Sequence, residues 1–276
     1  MYSAIQSKIA SGELILPTLP EVAIEVVKAF DHPSFSAGKV ATILTKDPAI
    51  SARVLKMANS AFLASNTQVK DLKQAVVRIG LAQIRNVVTA IALEQLFVAK
   101  DPNIRKSMKE IRDFGVKVAS ASMAIHTCSK HSGSFPVDNL MMLSLLSTIG
   151  FLPILKEADS ESIEVSTGSI SEDLVKRLTI MILNAWDFNF YIDDIQSFFA
   201  KEQYNGTPHP VDYVFAGVCY VLYTSKINCT ENSFMAELNS YVQSNKDKYV
   251  ALIESDAGFK DDQFIRLYEG FLEVFK

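Results

Sequence analysis

The chain has 276 residues, 49% of them hydrophobic and 21% charged, with a formal net charge of -4. That composition supplies a core for one large or two ordinary domains and excludes wholesale disorder. The acidic balance excludes a general nucleic-acid binder, whose affinity needs a basic surface. The 3 cysteines, with no CxxC pair, fit free thiols in a reducing cytoplasm better than a disulfide framework.

With 11 glycines and 9 prolines, helices are favoured over sheet. The N-terminal residues lack a charged stretch followed by an apolar one, so no leader is expected. Residues 1–16 read as a short helix and a turn at Gly12. Thr18-Leu19-Pro20-Glu21 has the form of a capping box, and Val22, Val26, Val27 and Phe30 follow at helical spacing. Asp31-His32-Pro33-Ser34 breaks that helix, and Ser36 can cap the next, which carries Val40, Ile43 and Leu44. Asp47-Pro48 places a capping carboxylate before a proline at the first helical position. The helix it starts has Ile50, Val54 and Met57 on one side, Arg53 and Lys56 on others, and Asn59-Ser60 near its end.

A turn around Ser65-Asn66-Thr67 leads to a short helix with Leu72, Ala75, Val76 and Ile79, closed by Gly80. A longer one spans Leu81 to about Phe97. Lys100-Asp101-Pro102-Asn103 reads as a break, and a long amphipathic helix runs from about Ile104 to Lys130. The most continuously apolar run, residues 138–155, comes next, and Asp138 can cap it. Gly150 and Pro153 interrupt it short of the roughly 20 apolar residues that cross a bilayer, so it predicts a helix surrounded by other helices, with no membrane span. Ser147 and Thr148 are a polar pair inside it. Residues 157–170 read as an exposed loop. Helical spacing returns up to Trp186, from Ile192 to Ala200, and, after a turn at 205–210, from Val211 to Lys226. Two or three amphipathic helices end the chain at Phe275. Strand patterns are essentially absent, and the fold class is all-α.

The four histidines, His32, His126, His131 and His209, offer no metal pair: none precedes an Asp, and none lies three or four residues from another. No nucleophile triad and no phosphate-cradling glycine loop is present. Trp186, Phe188, Phe190, Tyr220 and Tyr223 read as core, Cys128 as buried filler, and Asp193-Asp194 and Asp261-Asp262 as charges at helix starts. Arg53, Lys56, Arg78 and Arg85, with Asn59 and Asn86, can form a small polar surface for a partner helix or an anionic ligand. Equally, Asn59 can end its helix or bond across to residues 64–68, the cations being merely solvated.

Two segments together are distinctive. One is Leu16-Pro17-Thr18-Leu19-Pro20 followed by Asp47-Pro48-Ala49-Ile50-Ser51-Ala52-Arg53-Val54-Leu55-Lys56-Met57-Ala58-Asn59-Ser60. The other is Leu72-Lys73-Gln74-Ala75-Val76-Val77-Arg78-Ile79-Gly80 with Ile84-Arg85-Asn86-Val87-Val88 behind it. They resemble the HDOD domain of bacterial signalling proteins, most densely over residues 16–97. The resemblance implies packed helices of HD-domain type, with an N-terminal lobe (1–105) on a C-terminal bundle (106–276) and a core of about 16–226. HD enzymes hold metal with His and His-Asp ligands. Where family members keep "LLHDIG", this chain has Leu145-Leu146-Ser147-Thr148-Ile149-Gly150, and Val116 stands where a "W.HS" His often lies. Neutral hydroxyls are poor transition-metal ligands.

The expectation is therefore a non-enzymatic, cytoplasmic, bacterial regulatory protein in signal transduction. It has no catalytic residue, metal or cofactor, and acts through a protein partner rather than nucleic acid or membrane. Candidate binding residues are Arg53, Asn59, Arg85 and Asn86; Val116, Ser147 and Thr148 mark vestigial metal positions. Two alternatives stay open: a divergent metal-dependent phosphohydrolase, and a nucleotide or small-molecule sensor using the vestigial cavity.

Overall fold

Short apolar stripes separated by capping residues fold as short helices, and a computed structural model shows how they stack. It describes residues 2–30, 32, 34–60, 63, 67–163, 170–202, 208–224, 233–254 and 262–275. Among these there is no strand. The first half contains α1 (Tyr2–Ser11), α2 (Glu21–Phe30), α3 (Ala37–Leu44), α4 (Pro48–Ala58), α5 (Leu72–Ile79) and α6 (Ile84–Glu94). The second contains α7 (Pro102–Cys128), α8 (Val137–Leu146), α9 (Phe151–Glu161), α10 (Glu172–Ala185), α11 (Ile192–Ala200), α12 (Pro210–Thr224), α13 (Ser233–Ser244), α14 (Lys246–Glu254) and α15 (Asp262–Val274). A one-turn 3-10 helix, Asn189–Tyr191, precedes α11.

Local chemistry sets most boundaries. Ser36 accepts from the Lys39 N–H, and Asp47 Oδ1 accepts from Ala49 and Ile50 at 2.8 and 3.0 Å. Gly80 ends α5 at φ +101°, a left-handed conformation that favours glycine. Several expectations need correction. Thr18 does not cap α2: the helix begins at Glu21, and the Pro20 carbonyl accepts from Ala23 and Ile24. Asp101-Pro102 is a start rather than a break, since Asp101 caps α7 just as Asp47 caps α4. α6 is shorter than expected, α9 continues to Glu161 where a loop was expected, and Asp138 lies inside α8, which starts after Pro136. Expectations for Asp31, Pro33, residues 64–66, 164–169 and 205–207, Lys226, Cys229 and Asp261 fall outside the described residues.

Helix α7, 27 residues and about 40 Å long, is the central rod. Its faces carry α8, α12 and α15. Close approach is achieved with small residues: a Cβ on Gly217 of α12 would lie 2.2 Å from Ser122 Oγ and 2.8 Å from the Val118 carbonyl of α7. In the N-terminal half, α3 and α4 pack on α5, and α2 and α4 pack on α6, which leans on α8. The extended Leu16–Pro20 segment is tied to the other half by the Trp186 indole, which donates to the Pro17 carbonyl at 2.9 Å. Residue 105, where the sequence places a division between lobes, lies in the first turn of α7, and α15 returns to α4. The apolar 137–161 run is inside the fold, with 89% of its most apolar window buried.

Candidate functional site

The vestigial positions lie where α8 turns into α9 against α7. Ser147 Oγ donates to the Ser144 carbonyl at 2.8 Å, and Thr148 Oγ1 donates to the Leu145 carbonyl at 3.0 Å. Both side chains are buried. Each hydroxyl thus satisfies itself on the preceding turn. The α7 residue facing Thr148 is Gly115, whose added Cβ would sit 3.2 Å from Thr148 Oγ1; Val116, next to it, is buried. On the far side, a Cβ on Gly150 would lie 2.2 Å from the Val175 carbonyl and 2.7 Å from Thr179 Oγ1. At this turn α7 and α10 approach the chain closely at the two glycines.

The HD relationship implies a metal at this place, and the residues present do not fit one. The donor set is two neutral hydroxyls already bonded to carbonyls and one valine. Among the described residues no three His, Cys, Asp or Glu side chains are grouped so as to hold a metal ion. His126, also on α7, stacks on Phe135 at 4.3 Å and meets the edge of Tyr213 at 5.0 Å, and burial holds its pKa down.

Arg53, Asn59, Arg85 and Asn86 each have separate partners within the fold. Asn59 exchanges two hydrogen bonds with Val69, donating to its carbonyl at 2.9 Å and accepting from its N–H at 2.9 Å, which pins the segment after α4. Arg53 pairs with the nearly buried Glu94 at 3.0 Å and donates to the Phe275 carbonyl at 3.4 Å. Burial raises the Glu94 pKa to about 7 even though Arg53 pulls the other way. Arg85 lies between the Phe30 and Phe190 rings, 4.9 and 4.6 Å from their centroids. Asn86 is 5% exposed and donates to Asp138 Oδ2 at 2.7 Å. Asp138 Oδ1 and the Tyr191 hydroxyl are buried beside it without a hydrogen-bond partner. Burial pushes the Asp138 carboxyl up, and burial together with the nearby Asp138 charge pushes the Tyr191 phenol up.

Asp138, Tyr191 and Glu94 are the polar residues that sequence reasoning missed. Asp138 alone carried a signal, a carboxylate heading an otherwise apolar run. Two aromatic expectations also need correction: Phe190 and Tyr223 are exposed, the first under Arg85 and the second under Lys246 at 5.8 Å.

Comparison with known proteins agrees with the helical fold. A Shewanella amazonensis SB2B crystal structure, provisionally named a metal-dependent phosphohydrolase, is 27% identical, covering 99% of this chain and 97% of that one with a TM-score of 0.79. An HDOD domain protein of unknown function from Geobacter sulfurreducens shares the fold at 19% identity, covering 98% of this chain and 94% of that one with a TM-score of 0.58. An uncharacterized Treponema pallidum (strain Nichols) protein is 26% identical over 86 residues, which are 31% of this chain and 17% of that protein. The HDOD domain matches residues 16–189. Packed helices of this order, with the distinctive segments inside the matched span, place the chain in the HDOD domain family.

Proposed function

We propose that this chain is a non-catalytic regulatory protein of a bacterial signalling pathway, acting in the cytoplasm by presenting its surface to a protein partner. The observation that carries this reading is the donor set at the expected metal positions, two neutral hydroxyls and a valine. Ser147 and Thr148 bond back to their own helix, and both side chains are buried. Those bonds commit both hydroxyls to their own helix, which disfavours a sensor that would hold a nucleotide through them.

The rival is a phosphohydrolase, favoured by the name of the Shewanella relative. Purified protein should contain no stoichiometric, chelator-resistant metal. It should leave mononucleotides and cyclic dinucleotides intact when assayed with added manganese, iron or zinc. Turnover that rises with one of those metals and disappears with the chelator would overturn the regulatory reading.

A further inference from the structure

We propose that the face made by the end of α4, residues 67–71 and α5 is the docking surface, and that it takes an acidic, amphipathic segment of a partner protein. The inference rests on the regulatory reading above and names the surface through which it would work.

The charge of this region runs against that of the chain. Between residues 52 and 78 lie five cations, Arg53, Lys56, Lys70, Lys73 and Arg78, and one carboxylate, Asp71, in a chain of net charge -4. Two of the cations are spent internally: Arg53 on Glu94, and Arg78 on the Thr67 carbonyl at 2.7 Å. Asp71 is also spent, since its carboxylate accepts from the Gln74 N–H at 2.8 Å as the cap of α5. Lys70 and Lys73 are exposed and have no hydrogen-bond or ion-pair partner among the described residues. Lys56, the third exposed lysine, meets Glu273 of α15 at 3.6 Å, a weak surface pair that a competing carboxylate can replace.

Shape supports the same reading. Two hollows meet at Val69: one runs between α4 and α15 past Lys56 and Lys70, and the other runs along α5 past Lys73 and Val77. Val77 is 64% exposed, an apolar contact beside the lysines. Ser60 Oγ, in the wall of the first hollow, is buried and has no partner. Asn59 holds the floor in place through its paired bonds to Val69. A concave strip with unspent lysines and one apolar foothold suits a segment that alternates carboxylates with apolar side chains. The acidic remainder of the chain repels such a segment at long range, so the attraction is local and salt-sensitive.

The test uses the full chain and a fluorescein-labelled peptide of mixed Glu and Leu, followed by fluorescence anisotropy. A peptide with Lys in place of Glu and a single-stranded DNA oligonucleotide serve as comparison probes. The double variant Lys70→Glu/Lys73→Glu should bind the acidic peptide about tenfold more weakly, the equivalent of one factor of ten in Kd. Lys106→Glu/Lys109→Glu, on the exposed start of α7, should bind it as the wild type does. Both variants should melt at the wild-type temperature. Equal binding of the acidic peptide by both double variants, no binding by the wild type, or binding of DNA in its stead would overturn the surface. Partner capture from the native cell separates the two readings. A partner retained by the Lys70/Lys73 variant leaves the regulatory role standing and removes this surface, whereas capture of no partner by the wild type removes the regulatory role.

Discussion

Asp138 is enclosed by α6, α8 and the turn before α11, with one carboxylate oxygen bonded to Asn86 and the other unpartnered. A buried charge with half its acceptors unused is expensive, and its raised pKa expresses that expense. Two substitutions separate the charge from the hydrogen bond. Asp138→Asn keeps an acceptor for Asn86 and removes the charge, so at about pH 8 it should leave stability unchanged or raise it, with the gain shrinking as pH falls. Asp138→Leu leaves the Asn86 amide only the long contact to Asn139 Oδ1 at 3.4 Å and should cost about 1–3 kcal/mol. Urea midpoints read both, and a loss from Asn as large as that from Leu would disprove this account. The contrast with Ser147 and Thr148 shows what a residue reveals by itself. Those two were legible because family ligand positions lie in a recognisable run. The burial of Asp138 and Glu94 was not, because it depends on which helix later covers each carboxylate.

At the scale of elements, glycines report how closely helices approach. Gly150 lies at the start of α9 with the Val175 carbonyl of α10 2.2 Å from where its Cβ would be, so Gly150→Ala forces α9 and α10 apart. The expected cost is about 1–3 kcal/mol. Gly38, in the first turn of α3, has nothing within 4 Å of an added Cβ, and Gly38→Ala should stabilise by up to about 1 kcal/mol. Thermal melts of the pair should shift in opposite directions; a shared direction would mean that the α9–α10 contact yields. Helix starts with a capping side chain, such as Ser36 and Asp47, were legible because the signal is local. Asp101-Pro102 carries the same signal and was passed over as a break. The end of α9 had no local signal at all. Its Ser- and Glu-rich sequence looks like a loop, and its partners come from far along the chain: Lys8 of α1 bonds Glu157, and Asp159 accepts from the Lys100 and Asp101 N–H groups. Distant carboxylate contacts of this kind leave no period in the sequence.

The whole molecule is closed by α15, which leaves α7, crosses to α4 and ends beside Arg53. Arg53 therefore joins α4 to Glu94 on α6 and to the Phe275 carbonyl just past α15. Glu94 is raised from 4.5 to about 7 by burial, and Glu172, packed with Lys201 and near Glu237, is also raised to about 7, again chiefly by burial. For both, the folded protein holds a proton more tightly than the unfolded chain does. Between about pH 4.5 and 7 the folded state binds the extra protons, so stability falls as pH rises through this window and the full penalty is present above it. For Glu94 the penalty is at most roughly 3 kcal/mol. Unfolding by urea should therefore need more denaturant near the bottom of that window than above it. Glu94→Gln should flatten the profile, because the amide still accepts from Arg53 but does not titrate. Arg53→Met removes the cation that favours the charged carboxylate, so it should steepen the fall and loosen the end of α15, read as faster amide exchange at Leu272 to Val274. A profile that Glu94→Gln leaves as steep as the wild type's would assign the pH dependence elsewhere and leave the Arg53 contact a purely structural joint.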